Sequence, residues 1–140
     1  MKETNKGIYL LLLRLPKSLR IRPGRLPETT FPSGQYLYVG RSKNSLRGRI
    51  RRHLRKQKKT FWHIDYLLQQ AQIEEIWIKP GCFDECQITH KIHHLFGQSR
   101  YPVKNFGASD CRCPGHLLCL GKDGMDTDPL ENILDLQRMV

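Results

Sequence analysis

The segment Gly7-Ile8-Tyr9-Leu10-Leu11-Leu12-Leu13, followed by Arg14 and Leu15, constrains the fold more than any other stretch. A strand with one face in water alternates apolar and polar residues. A continuous aliphatic run that opens on a glycine suits a strand buried inside a sheet. Its uncharged part, Ile8–Leu13, is far short of the roughly 20 apolar residues that cross a bilayer as a helix. Residues 1–6 are polar and no small-residue cleavage site follows, so a soluble, cytoplasmic protein without a membrane partner is expected.

The stretch 16–35 carries Pro16, Pro23, Gly24, Pro27, Pro32, Ser33 and Gly34, which reads as turns with room for a short strand around Leu19–Arg22. Gln35–Gly40, rich in Tyr and Val, is predicted to be a second strand that pairs antiparallel with the first across this long insertion. Ser45 is a plausible N-cap, and Leu46, Ile50 and Leu54 then fall on one helical stripe. Phe61–Gln70 is predicted as a second helix, Ile73–Ile78 as a third strand closed by Pro80-Gly81, and Asp84–Gly97 as a third helix stopped by Gly97. Beyond residue 98, His116–Leu120 reads as a short strand and Leu130–Met139 as a terminal helix or tail.

The order ββ-α-α-β-α predicts an α/β (α+β) fold, with a small three-stranded mixed or antiparallel sheet flanked by helices. The 140 residues then divide into one domain over 1–120, with its insertion at 16–35, and a linker with a C-terminal helix or tail over 121–140.

Lys and Arg outnumber Asp and Glu by 24 to 13, a net charge of +11. Such an excess favours phosphate backbones through counterion release, although a generic basic surface has the same composition. The run Arg47, Arg49, Arg51, Arg52, Arg55, Lys56, Lys58 and Lys59 concentrates that charge. It suits tracking of a sugar-phosphate backbone, and nothing in it reads base edges. Five cysteines, Cys82, Cys86, Cys111, Cys113 and Cys119, are an odd number, read here as reduced thiols or metal ligands.

Some residues stand where chemistry rather than packing explains them. Arg49 and His53 are four apart and project from one helical face at the edge of the apolar stripe. Glu85 opens the third helix in register with Ile88 and Ile92, where a carboxylate is costly unless it is paired or holds a cation. His63 and Asp65 beside Trp62 suit either a supporting hydrogen bond near a site or a capping and packing motif. Cys86, Cys111, Cys113 and His116 have the residue types of a zinc site, and Cys86, His90 and His93 form a second candidate on one helical face. Cys-x-Cys is not the usual zinc spacing, and the alternative is a packed thiol cluster.

Gly7-Ile8-Tyr9 and Tyr38-Val39-Gly40 resemble the two signature tripeptides of the GIY-YIG nucleases, and Arg49, His53 and Glu85 match, in order, the arginine, histidine and metal-binding glutamate of that family. Phe31-Pro32-x-Gly34-x-Tyr36-x-Tyr38-Val39-Gly40, Trp62-His63-Ile64-Asp65-Tyr66-Leu67, Glu85-Cys86 and Phe106-Gly107-x-Ser109-Asp110-Cys111-x-Cys113 further resemble a domain of unknown function sometimes fused to endonuclease III-like DNA glycosylases.

The resemblance implies a GIY-YIG-like fold and a phosphodiester endonuclease, with DNA the favoured substrate and a role in repair beside a glycosylase or another repair protein. Tyr9 would be the general base and Tyr38 would position water or phosphate beside it. Arg49, with Arg47 as the neighbouring candidate, would bind the scissile phosphate. His53 would bond the phosphate or relay a proton, and Glu85 would hold Mg²⁺ or Mn²⁺. The competing expectations are a catalytically inactive nucleic-acid-binding module and a zinc-stabilised adaptor to a repair enzyme.

Overall fold

A computed structural model of the protein describes residues 5–56, 58–60, 62–108, 113–122 and 126–139. The aliphatic run forms β1 (Gly7–Leu15) and the Tyr/Val segment forms β4 (Gly34–Ser42). Between them the insertion folds into a separate hairpin of β2 (Leu19–Ile21) and β3 (Thr29–Phe31). Then come α1 (Leu46–Leu54), α2 (His63–Leu68), β5 (Gln72–Pro80), α3 (Glu85–Leu95), β6 (Leu117–Gly121), α4 (Asp128–Asn132) and β7 (Gln137–Arg138).

The main sheet has the order β6-β4-β1-β5-β7 and is antiparallel throughout. It is wider than the three strands expected from the sequence. β6 extends it beyond β4, and β7 lies against β5 through the pairs Trp77↔Arg138 and Ile78↔Gln137. The terminal segment, expected to be a helix or tail, is a single short helix followed by this edge strand. Leu130, Leu134 and Leu136 anchor it in the core.

β1 lies at the centre, and its burial explains the unbroken run. Tyr9, Leu11, Leu13 and Leu15 face a layer made by α1, α2, Phe31, Tyr36, Tyr38 and Phe106. Ile8, Leu10 and Leu12 face the opposite layer, with Trp77, Ile88, Ile92, Phe96 and the terminal leucines. With both faces covered, Ile8–Leu13 must be apolar throughout, which an alternating strand could not satisfy, and Arg14 is admitted only near the end of the strand, where it reaches Glu74. Side chains of about this size each stabilise the fold by roughly 1.5–3 kcal/mol on full burial.

The two signature glycines are fixed by close approach. Gly7 has φ +149°, and a Cβ there would lie 2.5 Å from the Lys79 carbonyl oxygen. A Cβ on Gly40, which pairs with Tyr9 across β1 and β4, would lie 2.3 Å from the phenol ring. No described helix is long and apolar enough to cross a membrane.

Candidate active site

β6 covers the edge of β4 only as far as Tyr38, which pairs with Leu117, and the next residue, Val39, bonds the His116 carbonyl. Gly40 and Arg41 lie past that cover. A cleft of about 240 Å³ opens there, and Tyr9, Tyr38, Arg49, Trp62, Glu85 and His116 are among its walls. β1 and β4 supply the tyrosines, α1 the arginine and the first turn of α3 the glutamate. Four of the five side chains expected to carry the chemistry therefore share one pocket.

The fifth, His53, stands directly behind. Its Nε2 is 2.7 Å from the Tyr9 hydroxyl oxygen, and its ring lies 6.2 Å from that of Tyr38. His53 is buried, and desolvation is the largest cause lowering its pKa from 6.5 to about 3; Lys58, Arg52 and Arg49 push the same way while Asp65 opposes them. The imidazole is therefore neutral at physiological pH. Burial also raises the Tyr9 phenol well above its usual value, against the pull of the Arg49 guanidinium. Tyr38 is raised too, first by desolvation and then by Tyr9 and Glu85. Both tyrosines are thus neutral hydroxyls. The Tyr9 hydroxyl and the neutral His53 ring therefore share one hydrogen bond, whose direction follows the His53 tautomer.

Arg49 is held on both sides. Its guanidinium stacks 4.3 Å from the Trp62 ring centroid and Nη1 donates to the Arg41 carbonyl at 3.1 Å. Arg47, the neighbouring candidate, is exposed and does not line the cleft. Glu85 follows the N-cap Asp84, whose side chain accepts from the Gln87 N–H, at a helix end that favours negative charge. Its Oε1 is 3.2 Å from Arg41 Nε and its Oε2 is 3.4 Å from His116 Nδ1.

Nothing in the residues around Arg41 singles it out, and the pattern around His116 points to zinc and not to a place beside Glu85. Arg41 follows Gly40 on β4 with its side chain toward α3, a position that only the pairing of β4 beside α3 reveals. Gly107 was also missed: its N–H donates to His63 Nδ1 at 2.9 Å, and a Cβ there would press the Tyr38 ring at 3.2 Å.

The expected nucleic-acid face divides in two. Arg47, Arg51, Arg55, Lys56 and Lys59 are exposed. Arg52 instead makes a bidentate pair with the buried Asp65, both bonds 2.9 Å, and stacks 4.2 Å from the Trp62 ring centroid. Lys58 donates to the carbonyls of Arg52, His53 and Arg55, which closes the C-terminus of α1. Asp65 also accepts from the Trp62 N–H at 2.9 Å, so the second-helix motif caps α2 and ties it to α1.

Of the two cysteine clusters considered, Cys86, Cys113 and His116 come together, whereas His93 bonds Ser99 at 2.8 Å and His90 stacks on His94. Cys111, with Ser109 and Asp110, lies outside the described residues.

The family described as domain of unknown function DUF123 matches residues 8–138. The chain belongs to the DUF123 family. That match spans the whole sheet from β1 to β7, including the terminal segment. Neither a curated protein nor a solved structure matches the chain.

Proposed function

We propose that this DUF123 domain is a metal-dependent endonuclease of the GIY-YIG kind, which hydrolyses nucleic-acid phosphodiester bonds, DNA being the favoured substrate. The supporting observation is the convergence of Tyr9, Tyr38, Arg49 and Glu85 on one cleft, with His53 bonded to Tyr9 from behind. A single carboxylate beside open volume fits a hard cation that keeps most of its waters. Glu85 is that carboxylate, its side chain 15% exposed, and Arg41 would have to yield its share of Oε1. A divalent ion bound there would withdraw charge from the phosphoryl oxygens.

The protein's own side chains account for the remaining roles. Arg49, pinned between Trp62 and the Arg41 carbonyl, offers its guanidinium to the phosphate without first paying for ordering. A neutral Tyr9 is a poor base alone. Coupled to His53, it takes the proton of the attacking water as its own proton passes to Nε2. The water oxygen forms the new bond to phosphorus, and the opposite P–O bond breaks with its electron pair leaving on the sugar oxygen. Tyr38, beside Tyr9 at a ring separation of 6.3 Å, orients that water or the phosphate. The exposed arginines and lysines of α1 and the residues after it lead the backbone toward the cleft.

One observation favours a second reading, a nucleic-acid-binding module without catalysis: Arg41 already supplies a cation to Glu85. Nicking of supercoiled plasmid, and cleavage of single-stranded and branched oligonucleotides with Mg²⁺ or Mn²⁺, separates the two. Cleavage by the wild type, abolished in Glu85→Gln and Tyr9→Phe, supports the nuclease. Binding of the same substrates with no cleavage in either metal leaves the binding module.

A further inference from the structure

We propose that Cys86, Cys113 and His116 hold a zinc ion in the wall of the cleft. The Cys86 and Cys113 sulfurs are 3.0 Å apart, and His116 Nε2 lies 3.0 Å from Cys113 Sγ and 3.5 Å from Cys86 Sγ. Zinc binds sulfur at about 2.3 Å and imidazole nitrogen at about 2.0–2.1 Å, so tetrahedral ligand atoms stand about 3.5–3.8 Å from one another. Spreading the observed triangle by less than about an ångström admits the ion. The ligands come from separate places, the first turn of α3 and the segment leading into β6, so only the tertiary fold unites them.

The surroundings match a metal site rather than a packed thiol cluster. His116 directs Nε2 at both sulfurs, and its Nδ1 faces the Glu85 carboxylate at 3.4 Å, close enough for a bound ion to draw the two into a hydrogen bond. Metal-ligating histidines characteristically donate their second nitrogen to a carboxylate or carbonyl, which fixes the ring and raises its basicity. Packing of thiols requires neither contact. Two cysteine ligands bound as thiolates would neutralise a divalent ion. Neither cysteine is in a disulfide, and Cys86 and His116 line the cleft, which gives an ion a way in.

Two sulfurs and a nitrogen select zinc over the oxygen-seeking cation proposed for Glu85, so the two metals are distinct. These three ligands leave a fourth coordination position, taken by solvent or another donor. The zinc would staple α3 to the approach of β6 and, through His116, hold Glu85 at the cleft.

The test uses the full chain without an affinity tag, purified in reducing buffer. Elemental analysis should find about one zinc per chain after dialysis against a weak chelator. Replacement by cobalt should give sulfur-to-cobalt charge-transfer absorption in the near ultraviolet, lost in Cys86→Ser and in Cys113→Ser. Should those variants fail to fold, the wild-type spectrum and metal content still decide. Glu85→Gln should keep the stoichiometry while zinc affinity falls about 10–100-fold. Metal-free protein whose two thiols alkylate as fast as free cysteine, a Cys86–Cys113 disulfide, or bound cobalt without sulfur charge transfer overturns the site. None of these readouts depends on nuclease activity.

Discussion

Acidification should destabilise this protein through His53, and the size of the effect follows from the site. The ring is 2% exposed, bonds Tyr9 through Nε2, and has no hydrogen-bond partner for Nδ1 among the described residues. Its pKa falls from 6.5 to about 3 on folding, chiefly because burial disfavours the imidazolium. Between those two values the unfolded chain binds a proton that the folded chain does not. Stability is therefore complete above about pH 6.5 and declines as the pH falls toward 3. The slope for one proton is about 1.4 kcal/mol per pH unit, so the step from pH 6.5 to 4 costs about 3 kcal/mol. Domains of this size are stable by only about 5–15 kcal/mol.

Other groups titrate over the same range, so the informative quantity is a difference. His53→Gln keeps an acceptor near Nε2 for Tyr9 and cannot titrate. Urea unfolding of both proteins at pH 7, 6, 5 and 4 should show the wild type losing about 3 kcal/mol more than the variant across the series. The imidazole resonances of His53 should stay those of a neutral ring over most of that range. Stability curves for the two proteins that run parallel within about 0.5 kcal/mol, or a ring that titrates near 6.5, would refute the buried neutral histidine.

Further expectations follow from the same contacts. Gly40→Ala puts a methyl 2.3 Å from the Tyr9 ring, and should cost about 1–3 kcal/mol in urea unfolding and abolish plasmid nicking together. Asp65→Asn removes the anion from a buried pair with Arg52; since Arg52 is 23% exposed, a loss near the lower end of about 3–5 kcal/mol is expected, with an Arg52→Gln, Asp65→Asn double mutant less destabilised than the sum. Tyr9→Phe should fold normally yet cut about 10²–10⁴-fold more slowly, because only the proton path through the hydroxyl is lost. Arg51→Gln and Arg55→Gln, on the exposed face, should each lower the salt dependence of duplex binding by about one phosphate contact without changing sequence preference.

What was legible in the sequence, and what was not, separates along a physical line. β1 and β4 follow from residue patterns a few positions long, as do Leu46 and Ile50 on the buried face of α1 and the projection of Arg49 and His53 from one side of it; Leu54, expected on the same stripe, is exposed, and His53 is buried in its stead. Properties that arise only when distant segments meet were not readable. In sequence Arg52 and Lys58 look like any other member of the basic run. One is drawn out of it by a buried carboxylate on the next helix, the other by the orphan carbonyls at the end of its own. β7 and β3 are too short to carry a period, and their partners supply the ladder that stabilises them.

The same distinction governs the chemistry. The resemblance to the GIY-YIG nucleases, not the strand position, suggests Tyr9 as a base, but burial keeps this phenol protonated. Exposure would lower its pKa at the cost of the geometry that Gly40 permits, with the ring laid against the bare backbone of β4. The fold keeps the packing and places an uncharged acceptor at 2.7 Å instead. Burial keeps His53 neutral down to acid pH and also weakens it as a base, so the apolar faces that first made the central strand recognisable set both the charge and the strength of the acceptor.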